Sequence, residues 1–201
     1  MNVVLIQYPE AFNCYEKLER KVGNILSNLD NYTIATIKDH NNLIARLCLE
    51  KLPDINFTEI GRLNLESITH AIIFDDGEEF SDLRKELKEK GVFSRFIKIK
   101  ITRVINIKNE TEYKGKKSTE DYEYIGRGSK WGNPHSMYDG DGDRDEVIRK
   151  FKYDFDFDKF PHLKKNEVYR LAGKRLGCFC KPANCHGDVL ANYLNSWDDG
   201  E

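Results

Sequence analysis

"NVVLIQ" (residues 2–7) decides the fold of this chain. Six residues run almost wholly apolar, without the polar alternation of a half-exposed strand. That pattern belongs to a strand covered on both faces, as in a parallel sheet sandwiched by helices. Downstream, Leu18, Val22, Ile25, Leu26 and Leu29 recur at helical spacing, and "YTIATI" (32–37) is strand-like again. Leu43, Ile44, Leu47 and Cys48 form an apolar helical stripe that Pro53 ends. "THAIIFDDG" (69–77) reads as a third strand with an acidic turn. Phe80, Leu83 and Leu87 then mark a helix that Gly91 can cap. "FIKIKI" (96–101) alternates by two, as an edge strand does. The β-α-β-α order predicts an α/β fold with an open, mostly parallel Rossmann-like sheet over residues 1–97. A second, smaller α+β domain follows over 98–201.

Ligands of such sheets sit beyond the carboxyl ends of the strands, here "QYPEAFN" (7–13) and "FDDGEE" (74–79). Neither carries a glycine-rich phosphate loop. Asp75 and Asp76 can hold a ribose hydroxyl, or simply form a turn and cap the next helix. By element order, this half resembles the Rossmann-like DprA and lysine-decarboxylase-like proteins. It lacks the double-glycine motif those families use for their nucleotide.

The second half is built differently. "TRVINIKN" (102–109) is a strand, followed by a lysine-rich polar loop to Asp121. "YIGRGSKWGNP" (124–134) sets Gly126, Gly128 and Gly132 around Arg127, Lys130, Trp131 and Asn133. Glycines let a backbone approach a ligand. Arg127 offers a planar fork for phosphate, Lys130 a further cation, and Trp131 a stacking platform for a base. Asn133 can read a base edge or hold the loop. "DGDGDRDE" (139–146) invites a calcium-loop reading that its spacing rejects. With Asp139 first, the glycine position holds Arg144 and the closing glutamate position holds Lys150. Its carboxylates remain candidates for magnesium beside a phosphate, or for capping the next helix through Asp143 or Asp145. "FKYDFDFDKF" (151–160) suits helix or strand, and "GDVLANYLNSW" (187–197) is a helix.

"LGCFCKPANCHGD" (176–188) gathers three of the five cysteines with His186. Odd in number and crowded, these thiols do not suit a disulfide framework. Cys178, Cys180, Cys185 and His186 make a possible zinc set, though adjacent Cys185 and His186 need a tight turn to share an ion. Three of them with His135 or His162 would also serve. The second reading places Cys185 at a helix N-terminus as a reactive thiolate with His186 as its acid–base partner. A third leaves Cys178 and Phe179 in a buried strand and His186 as a cap.

Together, "YIGRGSKWGNP" and "LGCFCKPANCHGDVL" resemble a domain-of-unknown-function family of phages and bacteria. The resemblance covers about 98–197, through Gly126, Arg127, Gly132, Asn133 and Pro134, then Gly173, Leu176, Cys178, Cys180, Pro182, Cys185, His186, Asp188 and Leu190. It implies a phage-type protein acting on nucleic acid or nucleotides. The acidic insertion at 139–145 departs from the pattern.

A net charge of −2 calls for no polyanion partner by itself, but 95–117 holds eight bases against Glu110 and Glu112. Such a run can steer a phosphate backbone, or be a solvated face. The start shows no basic n-region and nothing approaches a membrane span of roughly 20 apolar residues. A cytosolic protein is expected, in the host cytoplasm if phage-encoded. The leading functional expectation is an endonuclease cleaving DNA phosphodiester bonds. Arg127, Asn133 and His186 are its catalytic group, Arg127, Lys130 and Trp131 its nucleotide contacts, and zinc or magnesium its cofactor. The alternatives are a nucleotide-binding or nucleotide-hydrolysing enzyme or sensor, and a non-catalytic interaction protein stapled by zinc.

Overall fold

The computed structural model describes residues 1–200. The chain divides into two compact units, one of Met1–Ile99 with the segment from Ser196 onward, the other of Lys100–Asn195. No helix among the described residues is long and apolar enough to cross a membrane.

The first unit contains β1 (Asn2–Gln7), α1 (Tyr15–Leu26), β2 (Tyr32–Thr36), α2 (Leu43–Lys51), β3 (Phe57–Glu59), β4 (His70–Asp75), α3 (Ser81–Glu89) and β5 (Phe93–Lys98). Its five strands lie in the order β3-β2-β1-β4-β5, and every pairing is parallel. The chain starts at the centre, winds outward to β3, then crosses back to build β4 and β5. β1 is therefore hydrogen-bonded on both edges, and Val4 to Gln7 are buried. Leu5, Ala35, Ala71 and Ile73 pack against Leu83 and Leu87 of α3, so alternate strand residues face the other side of the sheet. The edge strand spans 93–98 rather than 96–101. Ile99 and Ile101 are buried, but they lie in the exit from the strand.

The carboxyl ends of these strands are filled by the protein's own side chains. Gln7 Oε1 accepts from Thr36 Oγ1 (3.0 Å) and Ile37 N (3.1 Å). Tyr8, fully buried, donates its hydroxyl to Asp39, whose carboxylate caps α2 through Ile44 N and Ala45 N. Desolvation and the Asp39 carboxylate push the Tyr8 phenol well above its usual range. Asp75 and Asp76 accept from the backbone of Gly77 and Glu78, and Asp75 is paired with Arg84. They serve the turn.

The second unit has β6 (Arg103–Asn106), β7 (Tyr122–Tyr124), α4 (Arg144–Asp156), β8 (Arg175–Cys178) and α5 (His186–Asn195). Its strands form a parallel sheet in the order β6-β8-β7. β8, the middle strand, ends at Cys178. Ile125, Trp131, Phe151, Phe155, Leu176 and Leu190 belong to the core. "FKYDFDFDKF" is thus helical up to Asp156, burying Phe151 and Phe155. Asp143 caps that helix, accepting from Glu146 N at 2.9 Å. Asn195 clamps the backbone of Thr102 with both ends of its amide (2.8 and 3.0 Å), tying the end of α5 to the entry of the unit.

Candidate functional site

The loop between β8 and α5 brings three thiols together. The Sγ atoms of Cys178, Cys180 and Cys185 lie within 4.8 Å of one another. Cys178 and Cys185 are buried and Cys180 is partly exposed. Local hydrogen bonds shape the loop. Cys180 N donates to Cys178 Sγ (3.3 Å) and Gly187 N to Cys185 Sγ (3.4 Å). Asp188 caps the new helix by accepting from Cys185 N (2.9 Å), and Lys181 pairs with Asp188 (2.6 Å). Gly187 is required by space, since a Cβ there would sit 2.4 Å from Ile125 Cδ1.

Cys185 donates its thiol proton to Cys178 Sγ across 3.2 Å. That bond, with N–H donors from Cys180 and Lys181, holds the Cys178 thiol down at about 6 against the opposing effect of burial. Holding the shared proton, and then burial, pushes Cys185 far up. Of the two, Cys178 is the thiol whose thiolate form this hydrogen bond favours.

His186 is buried, with Nε2 2.9 Å from the Ile125 carbonyl and its ring edge-on to Phe151. A carbonyl only accepts, so Nε2 carries the proton and Nδ1 is left as an acceptor, 3.6 Å from Cys185 Sγ. Burial lowers the His186 pKa and keeps the ring neutral. His186 does not join the three-thiol group; it ties the start of α5 to Ile125, the residue that follows β7. Nor do the other expected donors: His135 is paired with Asp154 (2.8 Å), and His162 lies beside Phe160.

The thiols fit a soft divalent metal such as zinc. Zn–S bonds of about 2.3 Å at tetrahedral angles place sulfurs about 3.8 Å apart. The cluster is within a small adjustment of that spacing, and the partly exposed Cys180 leaves one side open. The acidic loop fits magnesium poorly. Among the described residues it forms no group of ligating side chains around one point. Asp141 is instead engaged by Ser136 N (2.9 Å) and Lys150.

The glycine-punctuated loop lies beside the thiols. Arg127 is exposed and donates to Ser136 Oγ (2.8 Å). Asn133 is a clasp: its amide donates to the Val147 carbonyl (3.0 Å) and accepts from His135 N (2.9 Å). Trp131 is 6% exposed, and its indole N–H donates to Glu123 (3.0 Å). Its ring is core, and no base can stack on it. Lys130 is paired with Glu167 (2.6 Å).

One cavity of about 400 Å³ unites the two loops. Arg127, Asn133, Cys178, Cys180, Cys185 and His186 line it, and Lys130 and Trp131 do not. Sequence reasoning missed several of its residues, of which Arg144, Met137, Tyr138 and Phe179 matter most for a ligand. Arg144, the first residue of α4, brings a second guanidinium, placed by a bond to the Asn184 carbonyl (3.3 Å). Met137, Tyr138 and Phe179 stand exposed at the wall. Phe179 follows Cys178 in a strand-like pattern and gave no sign of facing solvent. Among the described residues no carboxylate lines the cavity.

Comparison with known proteins divides the chain in the same region. Residues 105–196 match the Domain of unknown function (DUF4326). A curated relative, an uncharacterized 12.4 kDa protein of the nrdA-td intergenic region of Enterobacteria phage T4, is 41% identical over 78 residues. The match covers 35% of this chain and 65% of the phage protein, so the chain spans under two thirds of that relative. No solved structure matches. Residues 1–105 match the Minimal SLOG domain, whose Rossmann-like type suits the parallel sheet and suggests a nucleotide-related function. With more than half its length under that match, the chain belongs to the minimal SLOG domain family.

Proposed function

We propose that the second unit is a nucleotide-processing hydrolase whose substrate is a nucleotide unit held in the cavity between the Arg127 loop and the thiol loop. One observation carries this reading: a single cavity joins two guanidiniums, Arg127 and Arg144, to the three thiols. Guanidinium forks are suited to phosphate and to charge that develops on it during substitution. Phe179 and Tyr138 give a base flat apolar surface. A volume of about 400 Å³ lies within the range of small-ligand sites.

With no carboxylate at the wall, a base among the chain's own acids is not at hand. Cys178, Cys180 and Cys185 would hold zinc, which supplies a bound water of lowered pKa and a Lewis acid for phosphoryl oxygen. Arg127 and Arg144 orient the phosphate, Asn133 keeps the Arg127 loop on α4, and His186 holds the thiol loop through Ile125. Cleavage within a DNA strand is the form of this activity favoured by the basic run. Lys108 from that run stands 5.8 Å from the ring of Phe179 at the cavity.

The test is turnover of a panel of mononucleotides, dinucleotides and single- and double-stranded oligonucleotides by the zinc-loaded chain. Hydrolysis that falls at least about a hundredfold in Arg127→Ala and in Cys180→Ser is the expected result. Activity on oligonucleotides alone selects the endonuclease. Absence of both binding and turnover across the whole panel sinks the proposal.

A further inference from the structure

The sheet of the first unit has an uncovered strip. Parallel register pairs His70 with Phe93, Ile72 with Arg95 and Phe74 with Ile97. Phe93, Arg95 and Ile97 therefore face the side opposite α3, the side of α1. Among this unit's described elements no helix shields β5 there, and Phe93 is 76% exposed.

Two adjoining cavities occupy the strip, sharing Ile25 and Arg95. One, of about 330 Å³, is walled by Val4, Ile25, Leu29, Ile72 and Phe93, with the Phe93 ring stacked on His70 at 5.6 Å. The other, of about 430 Å³, is lined by Lys17, Lys21, Arg95 and Lys98. Among the described residues neither is lined by a carboxylate. Asp199 pairs with Lys17 (2.7 Å). Lys21, Arg95 and Lys98 have no partner among the described residues.

Edge strands carry charge to resist pairing with other chains. That accounts for Arg95 and Lys98. It does not account for Lys21 on the facing helix, nor for a bare phenylalanine beside the cations. Six residues of strand give a groove about 20 Å long, aromatic at one end and cationic at the other.

We infer that this groove binds single-stranded nucleic acid, with backbone phosphates on Lys21, Arg95 and Lys98 and a base on the Phe93–His70 stack. Cation and aromatic platform together are the chemistry of strand binding without sequence preference. A duplex hides its base faces and cannot use the stack. An acidic peptide would use the cations alone. The site is separate from the cavity of the second unit and stands whether or not that cavity is catalytic.

The experiment measures anisotropy of labelled 12-residue DNA and RNA single strands with the full chain, across a salt series. Variants are Lys21→Glu/Arg95→Glu/Lys98→Glu, Phe93→Ala and Arg127→Ala/Arg144→Ala. The triple variant is expected to lose affinity at least about tenfold, and its log–log salt slope to flatten by about 2, for three phosphates. Phe93→Ala loses about tenfold, while Phe93→Trp retains binding and shows that the exposed position tolerates change. Three results each overturn the inference. They are unchanged affinity in both groove variants, loss only in Arg127→Ala/Arg144→Ala, and polyglutamate competing as well as unlabelled oligonucleotide.

Discussion

Cys178 and Cys185 hold their sulfurs 3.2 Å apart, nearer than two thiolates on one zinc ion and well beyond the roughly 2.05 Å of a disulfide. At that distance the two share one proton. In the metal-free chain that shared proton holds the Cys178 thiol below its ordinary value. Burial pushes Cys14 up and Cys48 to about 11. Thiolate ultraviolet absorbance of the folded metal-free chain should show a titration below the ordinary thiol value of 9.0 that disappears in Cys178→Ser. A Cys178 midpoint near 9 would show that the proton is not shared.

The same pair sets a pH dependence of stability in the metal-free chain. Both thiols share the ordinary value of 9.0. Cys178 is depressed in the fold, so its contribution is complete above 9 and is lost as pH falls toward about 6. Cys185 is raised, so its contribution is complete below 9 and drains as pH climbs beyond it. Urea midpoints should therefore pass through a maximum near pH 9. The maximum should vanish in Cys178→Ser/Cys185→Ser.

Metal content separates ligands from braces. The chain should bind about one zinc, and Cys178→Ser, Cys180→Ser and Cys185→Ser should each lower occupancy, measured by elemental analysis after dialysis. His186→Gln should keep the metal and instead lose about 1–3 kcal/mol of stability, because a buried hydrogen bond and an aromatic contact go with the ring. Loss of zinc in His186→Gln with the fold intact would restore the histidine to the ligand set.

Arg144 is the sharpest point at which the sequence was silent. It stands in an acidic loop, where it served to reject a calcium site. Only the turn of α4 and the Asn184 carbonyl bring it to the cavity. Conversely, Trp131 and Lys130 looked like recognition side chains, and the fold spends them on Glu123 and Glu167. The parallel sheet was legible because its central strands are continuous apolar runs, a local property. β3, β7 and β8 are three or four residues long, too short to show periodicity, and their order depends on contacts far apart in sequence. The cavity was legible in half its wall, where glycines and thiols crowd together.

Removal of either cavity guanidinium should weaken nucleotide binding without unfolding the unit. Among the described residues Arg127 donates to Ser136 Oγ and Arg144 to the Asn184 carbonyl, and neither bond holds the core together. Arg127→Ala and Arg144→Ala should each cost about tenfold or more in affinity for a nucleoside monophosphate by calorimetry, with little change in melting temperature. Arg127→Lys should restore charge but not the two-pronged grip, and so recover only part. Equal affinity across all three variants would remove phosphate from the cavity.

Tyr122 tests the packing behind the site. It is fully buried, stacked on Tyr113 at 4.5 Å, and its hydroxyl finds no hydrogen-bond partner among the described residues. A buried polar group left unpaired costs about 1–3 kcal/mol. Tyr122→Phe keeps the stack and deletes the unpaired oxygen, so the second unit should melt higher, by about 4–8 °C for each kcal/mol regained. Gly177→Ala should move the other way by about 1–3 kcal/mol, because its Cβ would stand 2.4 Å from the Tyr122 hydroxyl and 2.7 Å from Ile107 Cγ2. A lower melting temperature for Tyr122→Phe would mean that the hydroxyl has a partner after all, and the strand behind the thiol loop would then be held by a polar contact rather than by packing alone.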